Sequence, residues 1–299
     1  MNFDLNDNKE VVVLLGAGDM GLAIIKRISA GKKILLADIN EEKLKTLKHD
    51  MTYSGYDVET QLTDAMDRDS IKALAEKAAS LGQVMYFIDT AGASPNQAAP
   101  EHIINLDLIG TSYALDEFGK VVARGGSGLI ISSMTGYMPS PLTKEDEHLL
   151  RVTPTDELKD LDCLSEDVIV NSGVAYVVSK RANHLRVQYA SADSWAERGA
   201  RINTISPGII VTPLAYDEFE ANGEGYQAMI DVCGAKRVGT SDEIAYAAEF
   251  LLSEKEDSLP EWICSLTEVQ SLQSTVEKWI FKSNNFSITF FNFKLLIFS

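Results

Sequence analysis

Short, wholly apolar runs alternate with amphipathic stretches from residue 11 to about residue 252. The runs lie at 11–15, 34–37, 84–88, 129–132 and 202–205, with a weaker, alternating version at 58–62. Continuous apolar runs of this length suit strands covered on both faces, and hence a parallel sheet. Helical spacing fills the intervals at 20–28, 41–48, 70–81, 103–122, 176–198 and 242–252. The alternation predicts an α/β protein in three layers: a doubly wound parallel sheet with ligand sites at the carboxyl ends of its strands. Two segments break the rhythm. Residues 137–172 contain Met138-Pro139-Ser140-Pro141, many acidic residues and no strand pattern, and are expected to leave the sheet as an insertion. Beyond about Ser258 the alternation is lost.

Composition narrows the function. The chain has 299 residues, 45% of them apolar and 24% charged, which is ordinary for a globular protein. Its net charge of −17 lacks the basic face that sequence-independent nucleic-acid binding needs. Cys163, Cys233 and Cys264 are odd in number and scattered, so neither a disulfide framework nor a zinc site is expected. His49, His102, His148 and His184 have no metal-ligand spacing. The N-terminus lacks a basic segment followed by an apolar one, and no apolar run nears the roughly 20 residues of a membrane span. A cytoplasmic protein without membrane partners is expected.

The first strand runs into Gly16-Ala17-Gly18-Asp19-Met20-Gly21, a G-x-G-x-x-G between a strand and a helix. Gly16 permits the tight turn, Gly18 lets the backbone approach a pyrophosphate, and Gly21 allows close helix packing. The helix N-terminus faces the negative charge. Asp38 ends the second run, where a carboxylate can accept both ribose hydroxyls of NAD and would repel the 2′-phosphate of NADP. NAD is therefore the expected cofactor, ahead of NADP. Asp64-Ala65 and Asp89-Thr90-Ala91-Gly92 follow the third and fourth strands. Asp64 is either an acceptor for the adenine amino group or an ordinary turn residue. In Tyr176-Val177-Val178-Ser179-Lys180, the phenol and the ammonium share one helix face. A nearby ammonium favours phenolate and moves tyrosine toward a useful acid/base range. Ser132-Ser133 leaves the carboxyl end of a strand, where a hydroxyl can hold a substrate oxygen.

Over residues 10 to 258 these pieces resemble the short-chain dehydrogenase/reductase family, in family order. The resemblance implies a single Rossmann domain over 1–258, with Tyr176 as proton donor or acceptor and Ser133 positioning the substrate oxygen. Lys180 would bind the nicotinamide ribose and lower the tyrosine pKa. Ala91 and Gly92 would line the cofactor site. Pro207-Gly208-Ile209-Ile210-Val211-Thr212 would meet the nicotinamide, with the Ile210 backbone and the Thr212 hydroxyl holding the carboxamide. It implies a small-molecule alcohol or ketone substrate and a homodimer or homotetramer. An NAD-dependent dehydrogenase or ketone reductase is expected. The alternatives are a dinucleotide-binding regulator without turnover and an inactive product of a damaged gene.

Four departures from the family pattern stand out. The glycine loop is one residue shorter than the common T-G-x-x-x-G-x-G. Asp89 replaces the first Asn of Asn-Asn-Ala-Gly. Asp107, in Leu106-Asp107-Leu108-Ile109-Gly110-Thr111, occupies the place of the usual catalytic Asn. The Ser133-to-Tyr176 interval is much longer than usual, and 137–172 is expected to form a mobile substrate cap beside a flap at 212–235. The family's last strand, with its Asp-Gly-Gly ending, is missing from the text of the chain, yet 258–269 can be encoded by codons that, read from the third nucleotide, give Ile-Thr-Gly-Met-Asp-Leu-Leu-Ile-Asp-Gly-Gly. Its first Asp is forced by Trp262-Ile263. Residues 280–299 use mostly residues with A/T-rich codons. The tail 259–299 is therefore expected to be a frameshift product.

Overall fold

The computed structural model describes residues 9–253 and, beyond them, the backbone at 263–266, 287–291 and 294–298. Strands β1 (Glu10–Leu15), β2 (Lys33–Asp38), β3 (Asp57–Leu62), β4 (Gln83–Asp89), β5 (Val122–Ile131) and β6 (Arg201–Pro207) form one sheet with the four-residue edge strand β9 (Ile263–Leu266). Their order is β3-β2-β1-β4-β5-β6-β9, and every pair is parallel. The order reverses at β1 and β4, so the crevice between their carboxyl ends is the switch point where a doubly wound sheet takes its ligand.

Alternation within the apolar runs explains the layers. Val11, Val13 and Leu15 face one side of β1, where they pack with Leu35, Phe87, Ile130 and Ile202 under helices α3 (Arg68–Leu81) and α5 (Thr111–Val121). The Phe87 and Phe118 rings stack there, 3.8 Å apart. Val12 and Leu14 face the other side, with Ile34, Leu36, Ile88 and Ile205, under α1 (Asp19–Ile28), α2 (Glu41–Tyr53) and α10 (Ser241–Leu252). Side chains begin many of the helices: Asn40 accepts from Lys43 N–H, Asp67 from Asp69 N–H, and Thr240 forms a capping box with Glu243.

The expected helix at 103–122 is three pieces: the short α4 (Pro100–Ile103), a wide π turn (Ile104–Gly110) and α5. The expected helix at 176–198 starts earlier, as α7 (Ser172–Ala192), and is followed by α8 (Ser194–Glu197). Asn171 sets that start by capping Val174 N–H. Trp195 is buried and donates to Leu115 O at 3.1 Å.

A 3₁₀ turn at Met134–Tyr137 leads into the insertion, which carries helix α6 (Lys144–Val152) behind a Thr143–Asp146 capping box and two further 3₁₀ turns. It has an apolar core of its own: Leu150, Leu158, Cys163 and Ile169 pack on Ile104, Leu108, Val178 and Leu185. Arg186 of α7 donates to Thr153 O at 2.6 Å and Thr155 Oγ1 at 2.7 Å, and Arg181 meets Glu147 at 2.7 Å. After β6, β7 (Ile210–Val211) pairs with β8 (Gly239–Thr240) around α9 (Pro213–Val232), the helix that the 212–235 segment forms.

The expectation of a frameshifted tail falls largely outside the described residues. Within them, Ile263–Leu266 pair with Thr204–Pro207. Four residues, Ile-Cys-Ser-Leu, with a serine among them, are too few to stand out as a strand by pattern alone. The strands β10 (Ser287–Phe291) and β11 (Lys294–Phe298) form a separate antiparallel ladder.

Candidate active site

The glycine loop sits at the switch point. Gly16 has φ +82°, and a Cβ there would lie 2.5 Å from Ala91 N, so neither another backbone shape nor another side chain suits it. The Thr90 hydroxyl donates to Gly16 O at 2.5 Å, tying the β4 loop to the β1 loop. A Cβ at Gly18 would meet nothing within 4 Å, and no side chain caps α1. The space above the first N–H groups of α1 is therefore open to an anion, and a dinucleotide's pyrophosphate fits it. Asp19 and Met20 form the first turn of α1, and Gly21 packs against Leu14 and Thr90.

Asp38 is buried at the end of β2. Its Oδ2 accepts from Ala17 N–H at 2.9 Å and meets Lys43 Nζ at 2.9 Å; its Oδ1 accepts from Asn40 N–H. The carboxylate thus touches the glycine loop directly. Lys43 is a residue the sequence reading missed, although it lies one turn into the helix that follows Asp38. Asp64 holds its own turn, with Oδ1 accepting from Met66 N–H at 2.8 Å, and Ala65 O packs against Gly110 of the π turn.

The second half of the site is a buried charge cluster. Asp107 is fully buried in the π turn; its Oδ1 accepts from Ala93 N–H and its Oδ2 lies 2.9 Å from Lys180 Nζ. Burial alone would push the Lys180 pKa down, but Asp107 and then Tyr176 outweigh it and hold the ammonium above its ordinary range. Lys180 Nζ stands 5.3 Å from the centre of the Tyr176 ring. Asp89 is buried at the end of β4, and desolvation pushes its carboxyl up to about 7 despite Ala91 N–H and the Lys180 charge. Gly92 fits against this cluster: a Cβ there would be 3.2 Å from Asp107 Oδ2 and 3.4 Å from Lys180 Nζ. The sequence showed Asp89 at a strand end, in place of the family's Asn, but not its charge neighbours, which come from other elements.

Ser133 follows β5 and caps the Met134–Tyr137 turn, accepting from Thr135 N–H at 3.2 Å. That turn is docked on α7 at the lysine: Ser132 Oγ donates to Lys180 O at 3.0 Å, and Gly136 lies against Lys180 and His184. His184 is buried, 2.7 Å from Ser206 Oγ, and burial pushes its pKa down to about 3, so it packs as a neutral ring. Pro207 ends β6, Gly208 follows, Ile210 enters β7, and Thr212 caps α9 by accepting from Ala215 N–H. Ser133, Asp107, Tyr176 and Lys180 therefore stand on elements that meet at the carboxyl edge of the sheet. Among the described residues there is no cluster of groups able to hold a metal and no helix long and apolar enough to cross a membrane.

Residues 9–144 match the family model described as short chain dehydrogenase, and 161–259 match that described as Enoyl-(Acyl carrier protein) reductase. A short-chain dehydrogenase/reductase, bsc3 of Alternaria brassicicola, is 41% identical over 250 residues, covering 82% of this chain and 89% of its own. The chain belongs to the short-chain dehydrogenase/reductase family. It is thus an oxidoreductase of a family that binds a nicotinamide dinucleotide. A 3β-hydroxysteroid dehydrogenase from Eggerthella lenta is 27% identical over 259 residues, covering 82% of this chain and 87% of its own. Among solved structures, an actinorhodin polyketide ketoreductase variant with NADPH superposes with a TM-score of 0.69 at 16% identity, covering 88% of this chain and 97% of that one. It shares the fold.

Proposed function

We propose that the protein interconverts a secondary alcohol and a ketone, with Tyr176 as general acid/base and NAD preferred to NADP. The observation that carries this reading is the buried Lys180 ammonium, 5.3 Å from the Tyr176 ring, on a helix docked against the Ser133 turn. The bound dinucleotide supplies or accepts the hydride. The balanced reaction is ketone, reduced dinucleotide and a proton giving alcohol and oxidised dinucleotide. The chain's task is to handle that proton. The Ser133 hydroxyl holds the substrate oxygen, the Tyr176 phenol gives its proton to that oxygen, and the Lys180 charge stabilises the phenolate left behind. A solvent proton restores the phenol.

The contact of Asp38 with the glycine loop supports NAD, because a carboxylate there favours ribose hydroxyls over a 2′-phosphate. We place the substrate between Ser133, the 137–172 insertion and the 212–235 segment. Met134 and Met138 would give that pocket an apolar wall suited to a hydrophobic or cyclic alcohol. Assembly as a homodimer or homotetramer in the cytoplasm belongs to the same reading.

Tyr176→Phe tests the assignment. Turnover should be abolished while NADH still binds, read by nicotinamide fluorescence, since only the proton donor is lost. Activity within about threefold of the parent would sink it. Parent protein that binds NADH but turns over no alcohol or ketone in a broad screen would favour a regulator.

A further inference from the structure

Where an amide is usual beside the catalytic lysine, this chain buries a carboxylate in direct contact with it. Asp107 comes from the π turn and Lys180 from α7, and both are shut off from solvent, so the pair is barely screened. The charge on Lys180 is the one that would acidify Tyr176. We propose that Asp107 is a tuning residue: it cancels part of the Lys180 field at the Tyr176 phenol and so keeps that phenol protonated at neutral pH.

The proposal rests on Tyr176 being the proton donor. The sign holds while Lys180 stays charged, which Asp89 and Tyr176 also favour. Relative to a neutral amide of the same shape, an anion near the phenol then disfavours phenolate. The other groups around the pair act in the same direction or not at all. Asp89, on β4, adds a second carboxyl facing Lys180 and Asp107. His184, one turn beyond Lys180, is held neutral. Arg181, on the same helix, is engaged by Glu147 of the insertion. The Tyr137 ring lies tilted against His184, 4.5 Å between ring centres, and carries no charge as a phenol. Lys180 thus faces two carboxyls across the cluster, and Tyr176 feels an ion pair where a lone cation would otherwise stand.

A protonated Tyr176 donates a proton, as ketone reduction requires; alcohol oxidation requires the phenolate. Asp107 leaves the reaction equilibrium untouched and moves upward the pH at which oxidation switches on.

The test is an ultraviolet titration of tyrosinate in the protein without substrate, with Tyr176 isolated by subtracting the matching Tyr176→Phe protein. Asp107→Asn should lower the Tyr176 midpoint by on the order of one pH unit. Asp107→Ser, which removes the same charge with a smaller side chain, should do likewise and guards against a misfolded amide variant. A midpoint unchanged or raised in the variants overturns the proposal. In the parent, the acid limb of alcohol oxidation should lie above pH 7, and a limb below it also overturns the proposal. The titration needs no turnover, so an inactive chain would defeat the proposed reaction without deciding the role of Asp107.

Discussion

The Asp38 carboxylate accepts from two backbone amides and meets the Lys43 ammonium, so its charge is partly offset before any ribose reaches it. A carboxylate so placed still disfavours a 2′-phosphate, but Lys43, a little over a third exposed, stands where it could meet one. The two residues should therefore pull cofactor choice in opposite directions. Asp38→Ala is expected to narrow the preference for NAD over NADP by about tenfold, and Lys43→Ala to widen it several-fold. Dissociation constants for the two cofactors, measured side by side for parent and variants, check both. If the parent itself favours NADP, Asp38 does not set the choice. The sequence pattern could place Asp38 at a strand end, where any doubly wound sheet puts its ligand. The pairing with Lys43 depends on where α2 begins, which Asn40 decides by capping it.

Two elements explain what the chain order left hidden. The π turn at Ile104–Gly110 widens the helix where a regular α spacing over 103–122 was expected, and this turns Asp107 into the protein beside Lys180. No periodicity argument pairs two residues so far apart. The insertion is the other case. Its Pro-rich start and its charges read as an excursion, yet Leu150, Leu158 and Ile169 were set aside for a small core against α7. The latch is Arg186, largely buried, whose guanidinium satisfies carbonyls of the insertion at Arg151 and Thr153 and the Thr155 hydroxyl. Arg186→Ala strands those acceptors. We expect it to cost about 2 kcal/mol in denaturant unfolding and to open 137–172 to proteolysis at native conditions. NADH binding should survive, because the glycine loop lies on other elements. An equally protected insertion would show that the apolar contacts alone hold it.

At the scale of the molecule, the six strands and the doubly wound parallel sheet were legible, because five of the runs are apolar and buried on both faces; β3, with only Val58 buried, showed as a weaker, alternating run. The seventh strand was not. It occupies the sheet edge at Ile263–Leu266, beside Thr204–Pro207, within the stretch for which one permitted choice of codons gives Asp-Leu-Leu-Ile in the shifted frame. Restoring the frame is expected to lengthen that strand and to raise soluble yield and activity together; relatives that share 262–299 unshifted would refute it. The larger design feature lies at the other boundary of the sheet, between its two halves. Gly16 touches the backbone of Ala91, and the Thr90 hydroxyl closes on Gly16 O, so the β1 and β4 loops are stitched across the floor of the crevice. A floor tied in this way is expected to keep its width before a ligand arrives. The dinucleotide would enter a cleft of fixed width, with little ordering of the chain to oppose association and little change in the molecule's radius of gyration on loading.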